Sequence, residues 1–263
     1  MAVRTSYTPG TPSWVDLGTP DLEGATAFYT ALFGWEAHVA PEEEAGGYTM
    51  FTSGGRNVAG LGPLMSDEQP SAWSTYVTVA DADATFQAAL AAGATGIVPP
   101  MDVLDVGRMA IFLDPTGAAI SVWQPRSHIG AELVNEPVSL CWNELATRDP
   151  AASAAFYSHL FEWDLRTDTF PTPDGGEMTY TEIKLGEDSV AGMMEMDESF
   201  PAEVPSHWAA YFAVEDADAI VERAVELGGT VIAPAMDIPP GRMAVIADPF
   251  GAVFQIMALN EED

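Results

Sequence analysis

Cysteine is nearly absent from this sequence. Cys141 stands alone among 263 residues, which excludes an internal disulfide framework and any cysteine-built zinc site. It lies in an apolar, strand-like run, so a buried, inert thiol is expected rather than a nucleophile. Positive charge is almost as scarce: nine Lys and Arg stand against 40 Asp and Glu, a formal charge of −31. A field of that sign repels nucleic acid and anionic lipid, so neither is expected as a partner. It leaves a solvated acidic surface, a basic partner protein or a high-salt habitat. No run of about 18 apolar residues exists to cross a bilayer, and Met1 to Pro12 holds one Arg and no apolar stretch of signal-peptide length. A cytoplasmic protein is expected. Also missing are a Gly-x-Gly-x-x-Gly after a strand, a phosphate loop with Gly-Lys-Ser/Thr, and a Gly-x-Ser-x-Gly elbow, so nucleotide cofactors and elbow-serine hydrolysis find no support.

What is present is a long repeat. Trp14-Val15-Asp16-Leu17, Asp21, Phe28-Tyr29 and Leu32-Phe33-Gly34-Trp35 return as Trp142-Asn143-Glu144-Leu145, Asp149, Phe156-Tyr157 and Leu160-Phe161-Glu162-Trp163, all 128 positions later. Gly107-Arg108-Met109-Ala110 through Asp114-Pro115 and Gly117 return as Gly241-Arg242-Met243-Ala244 through Asp248-Pro249 and Gly251, now 134 positions later. A period near 130 residues is the size of a whole small domain, so the chain is a tandem duplication. Within each copy the pattern strand, Asp-capped helix, three short strands occurs twice. The expected fold is α+β, with four β-α-β-β-β units. Residues 1–126 and 138–263 form one domain each, 127–137 the linker, and 1–11 a loose arm.

These residues resemble the vicinal oxygen chelate superfamily, which includes glyoxalase I, bleomycin-resistance proteins and extradiol dioxygenases. The carriers are Asp21 with Phe28-Tyr29 and Leu32-Phe33-Gly34, Val79 with Asp81, Asp114-Pro115 with Gly117, and their counterparts Asp149, Phe156-Tyr157, Leu160-Phe161, Val214 with Asp216, and Asp248-Pro249 with Gly251. The Trp-Val-Asp-Leu opening and the Trp-Gln-Pro end of the first half look like a two-domain actinobacterial branch. Its members are described as hydroxylases or ring cyclases near polyketide pathways, or as antigens. The resemblance implies two cupped mixed sheets, each able to hold a small molecule. It also implies metal-ligand positions, here occupied by Trp14, Ser74 and Ser121 in the first half and by Trp142, Ala209 and Gln255 in the second. Indole and methyl groups have no lone pair to offer, and a serine hydroxyl is a poor ligand beside imidazole or carboxylate. No metal and no cofactor are therefore expected. His38, His128, His159 and His207 are scattered without ligand spacing; packed or solvated imidazoles are the default, with a substrate contact by His207 as the minority case.

Strand alternation places i and i+2 on one face. If Trp14 points into its cup, then Asp16, Ser74, Tyr76, Ser121 and Trp123 do too, matched by Trp142, Glu144, Ala209, Tyr211, Gln255 and Met257. Such a wall suits a planar, largely apolar ligand, although the same residues would also fill a closed core. Asp16 and Glu144 are the catalytic candidates, because a carboxylate among aromatic rings has a raised pKa suited to acid–base work. The alternative is an ion pair of Asp16 with Arg108 and of Glu144 with Arg242, with Asp102 and Asp237 competing for the same guanidiniums. Two functions stay open. One is a metal-independent enzyme that cyclises, isomerises or moves protons on an aromatic or polycyclic, polyketide-like metabolite. The other is a binding protein that sequesters such a compound. A degenerate half serving as an interface is a third and weaker option. A monomer or homodimer is expected.

Overall fold

The computed structural model describes residues 2–66, 69–171, 177–198 and 200–260. The first unit comprises β1 (Ala2–Val3), β2 (Pro12–Thr19), α1 (Leu22–Phe33), β3 (Glu36–Val39), a single helical turn α2 (Glu42–Ala45), β4 (Thr49–Ser53) and β5 (Arg56–Pro63). The second has β6 (Ala72–Thr78), α3 (Ala82–Ala91), β7 (Thr95–Val103), β8 (Gly107–Leu113) and β9 (Ala119–Pro125). After β10 (Leu133–Val134), the third runs through β11 (Leu140–Thr147), α4 (Pro150–Phe161), β12 (Asp164–Pro171), β13 (Glu177–Leu185) and β14 (Asp188–Glu195). The fourth has β15 (His207–Ala213), α5 (Ala217–Glu226), β16 (Thr230–Ile238), β17 (Gly241–Ala247) and β18 (Val253–Leu259). The fold is α+β, as expected, with a mixed sheet in each half.

Each long helix begins where an Asp carboxylate accepts from the N–H three residues on: Asp21 from Gly24, Asp81 from Ala84, Asp149 from Ala152 and Asp216 from Ala219. Those bonds satisfy donors that have no partner inside the helix. The first sheet has the order β3-β4-β5-β2-β6-β9-β8-β7 and the second β12-β13-β14-β11-β15-β18-β17-β16. The units thus pair within each half, β2 with β6 and β11 with β15, both antiparallel. Strands β7 and β16 are longer than the sequence pattern suggests, which stops at Val98 and Ala233. They run on through Pro99, Pro100 and Pro234, tolerated because both are edge strands whose missing N–H groups leave no ladder bond broken.

The helical faces, by contrast, pack between halves. Phe28, Tyr29, Phe33 and Trp35 share one core with Phe212 and Phe254, while Phe86 and Phe112 share another with Phe156 and Tyr157. The recurring Asp-Pro and Phe-Tyr pairs meet across this junction. Tyr29 donates to Asp248 Oδ2 at 3.0 Å and accepts from Trp73 Nε1 at 3.1 Å, while Asp248 Oδ1 holds the Phe250 and Ala252 amides. At the matching place Trp208 donates to Tyr157, which faces the Asp114 carboxylate, while Asp114 Oδ1 holds the Thr116 and Ala118 amides.

One expectation needs correction. The N-terminal arm is tied down: Ala2 and Val3 pair with Val134 and Leu133, Gly10 N–H donates to Thr78, and Gly10 C=O accepts from Trp163 Nε1 at 2.7 Å. Segment 127–137, which joins the halves, is tied down as well. It folds over the first sheet, where Gly130 comes so close to Ser13 that a methyl group would collide with its carbonyl oxygen. The Ala131 amide donates to that oxygen, Glu132 N–H bonds Asn57 C=O, and Glu132 Oε2 accepts from the Asn57 amide. The first sheet satisfies backbone groups of Ala131 and Glu132, and β1 and β11 those of Leu133 and Val134, which is why the segment does not float free.

Candidate functional site

The inner face of each sheet carries the same constellation. In the first cup Tyr76 donates to Asp16 Oδ2 at 3.0 Å and Tyr48 to the same oxygen at 3.3 Å, while Trp14 Nε1 donates to Tyr48 at 3.2 Å. In the second cup Tyr211 donates to Glu144 Oε1 at 2.8 Å, Tyr180 adds a further hydroxyl to that carboxylate, and Trp142 Nε1 donates to Tyr180 at 2.9 Å. In both, a glycine opposite the carboxylate makes room for the tyrosine. A methyl group at Gly60 or Gly192 would collide with the hydroxyl of Tyr48 or Tyr180.

Burial pushes the Asp16 carboxyl up to about 6, with the two tyrosine hydroxyls pulling the other way. Glu144 is also raised, by burial first and against the hydroxyls of Tyr211 and Tyr180. No cation offsets either. Arg108 bonds Asp83 and Asp102, and Arg242 bonds Asp218 and Asp237, both on the helix side of their sheets. The ion pairs of Arg108 with Asp16 and of Arg242 with Glu144 are thus not formed. Alternation explains it: Met109 and Met243 face the cups, so the arginines before them face away. Asp102 and Asp237 hold the guanidiniums, as the competing pairing has it.

A carboxyl titrating higher when folded takes its proton first in the folded state. Stability from Asp16 is therefore highest below pH 4 and falls as pH rises toward 6. Asp16 keeps some exposed surface although its carboxyl is enclosed, so solvent trims the effect to about 2 kcal/mol. Asp16→Asn is expected to raise the melting temperature at pH 8 and to change it little at pH 4. Equal shifts at the two pH values would sink this account.

The cups differ in what covers them. Segment 128–134 enters the first: Ala131 and Val134 pack against Trp14, Tyr76 and Trp123, and His128 meets Trp14 edge-on at 4.6 Å while its carbonyl accepts from Trp123 Nε1. The His128 imidazole is pushed down to about 4 by burial, so it stays neutral. His128 is thus a packed imidazole, and His207, at the start of β15, bonds the Pro205 carbonyl through Nδ1. Among the described residues nothing plays that stopper's part in the second cup, whose apolar lining is Ala209, Tyr211 and Met257 with Cys141, Trp142 and Met243. Trp142 is partly exposed where Trp14 is buried. Cys141 is inert there, its thiol pushed up to about 12 by burial. The remaining candidates fall as the parity requires. Ser74 stands opposite Asp16, and Ser121 beside Tyr76, which it hydrogen-bonds. Gln255 stands beside Tyr211. Tyr48, Tyr180 and the two glycines were not foreseen. Their signal was the second repeat of Tyr48 and Val58-Ala59-Gly60 as Tyr180 and Val190-Ala191-Gly192, 132 positions on.

Two cupped sheets in tandem match the family model described as Glyoxalase/Bleomycin resistance protein/Dioxygenase superfamily over residues 11–122 and again over 138–256. The chain belongs to that superfamily. It is 42% identical over 262 residues to CFP32 of Mycobacterium tuberculosis, a proposed glyoxylase, covering 98% of both chains. It is 40% identical over 273 residues to the anthracycline biosynthesis protein DnrV of Streptomyces peucetius, covering 98% of this chain and 96% of that one. The Mn(II)-bound glyoxalase of Novosphingobium aromaticivorans shares the fold, with a TM-score of 0.64 at 15% identity over 97% of this chain and 84% of that one. The superfamily's metal does not fit the residues present here. The ligand positions carry Trp14, Ser74 and Ser121, or Trp142, Ala209 and Gln255, and no described group of three or more His, Cys, Asp or Glu could hold an ion. No helix among the described residues is long and apolar enough to cross a membrane.

Proposed function

We propose that this chain is a metal-independent enzyme acting on an aromatic or polycyclic, polyketide-like metabolite, with the second cup as its working site. The observation that carries this is Glu144: a buried carboxylate held by tyrosine hydroxyls, without a cation, on a floor of aromatic and thioether side chains. A carboxyl so placed accepts a proton from a C–H beside a ligand carbonyl and returns it to another atom of the same ligand. The net change is an isomerisation, or a ring closure when the enolate so formed attacks a second carbonyl. Neither needs an oxidant. Trp142 and Tyr211 offer the flat faces against which a ring system stacks. The identity with an anthracycline biosynthesis protein supports the substrate class.

Binding without turnover is the second reading, and one observation favours it. The same carboxylate–tyrosine clasp stands in the first cup, where Ala131 and Val134 pack against the aromatic wall, so the clasp also forms in a cup filled by the chain itself and is consistent with a structural or binding role. Titration with a hydroxylated polycycle, followed by product analysis, separates the two. One ligand per chain with conversion is expected, and one per chain without conversion gives the sequestration reading. Two equivalents per chain would overturn the single working cup. Stoichiometric iron, zinc, nickel or manganese in protein purified without an affinity tag would overturn metal independence.

A further inference from the structure

Gln255 has no task in the folded chain. It sits in β18 beside Tyr211, where the first cup has Ser121 beside Tyr76. Ser121 hydrogen-bonds its tyrosine, but Gln255 Oε1 is buried without a partner although the residue is only 7% exposed. A desolvated amide oxygen with nothing to accept is a standing cost to stability, and an apolar side chain of that size would avoid it. Its place in the cup, one strand over from Tyr211 and two from Trp142, directs the missing partner to the ligand. A hydroxyl both donates and accepts, so it suits either orientation of the amide.

The charge around this cup restricts the ligand further. No cation contributes to the surroundings of Glu144. Arg242 is taken up by Asp218 and Asp237, and Lys184, the penultimate residue of β13, stands opposite Asp164, with Glu182 between it and Tyr180. A carboxylate, sulfonate or phosphate entering beside Glu144 would meet like charge at low dielectric, and Arg166, the guanidinium in the same cross-strand row, is already paired with Asp164 at the exposed edge.

We propose that the second cup selects an uncharged, hydroxyl-bearing polycycle, with Gln255 as the specificity-determining contact to a ligand hydroxyl. This rests on the second cup being the working site. The full chain is titrated at pH 8 with 1,8-dihydroxyanthraquinone and with its 3-carboxylate, following quenching of tryptophan fluorescence. The uncharged probe is expected to bind at least about tenfold more tightly than the carboxylate. Gln255→Leu should weaken it by about tenfold while leaving the melting temperature unchanged or higher. Equal or tighter binding of the carboxylate, an unchanged affinity in Gln255→Leu, a lowered melting temperature in that variant, or no binding of either probe would overturn the proposal. Ala209→Trp, which fills the cup opposite Glu144, tells the two failures apart. If it leaves the uncharged probe bound as before, the cup assignment itself falls. If it abolishes binding while the two probes bind wild type alike, only the selection rule falls.

Discussion

Replacing Glu144 by Gln is expected to abolish turnover while leaving ligand affinity within a few-fold of wild type. The amide keeps the shape of the carboxyl and an oxygen to accept from Tyr211, now 2.8 Å from Oε1, so the cup should keep its form. What disappears is the ability to take a proton. General-base groups contribute about 10²–10⁴ to the rate, and a loss of that order in kcat, measured with the ligand that binds, is the expected result. The pH profile of the wild type adds a second check. Burial raises the Glu144 pKa, so kcat should fall on acidification at a pH above the ordinary glutamate range, and the variant should lack that limb. Turnover surviving in Glu144→Gln would remove the base from the mechanism. Lost affinity with no turnover in wild type would leave sequestration as the function.

Gly130→Ala is expected to produce the largest loss of stability. Gly130 lies at φ +107°, where an L side chain is strained, and its added methyl group would strike the Ser13 carbonyl oxygen that Ala131 N–H also uses. Strain and collision together should cost about 3 kcal/mol, or about 6–12 °C in melting temperature for a chain of this size. The loss has a location. If the segment lifts, Ala131 and Val134 leave Trp14 and Trp123 facing water, so acrylamide should quench tryptophan fluorescence more strongly in the variant. An unchanged melting temperature and unchanged quenching would mean that the stopper is not held as described.

The candidate site was partly legible in the sequence. Trp14, Asp16, Tyr76, Trp142, Glu144 and Tyr211 fall on one face because a strand alternates with period two, and one anchored position then orients the rest. The same rule applied to β8 and β17 would have turned Arg108 and Arg242 outward. Their chemical fitness as carboxylate partners suggested the opposite, and the register of β8 and β17 against β9 and β18 decided it. Tyr48 and Tyr180 escaped notice because they reach the carboxylates from β4's approach and from β13, separated from them by β5 and β14. Only a glycine on the intervening strand lets a side chain cross that distance.

Local chemistry in the chain determined four capped helices, four repeated units, two aromatic cups and the lack of metal-ligating side chains at the ligand positions, because caps, periodicity and residue type act within a few residues of one another. Tertiary packing alone decided that units pair within halves while helices pack between them, and that segment 128–134 packs into the first cup. That choice depends on where a backbone stretch with unpaired N–H and C=O groups finds partners. Here they include Ser13 and Asn57, which are far from the segment in sequence and beside it only once the first sheet has formed.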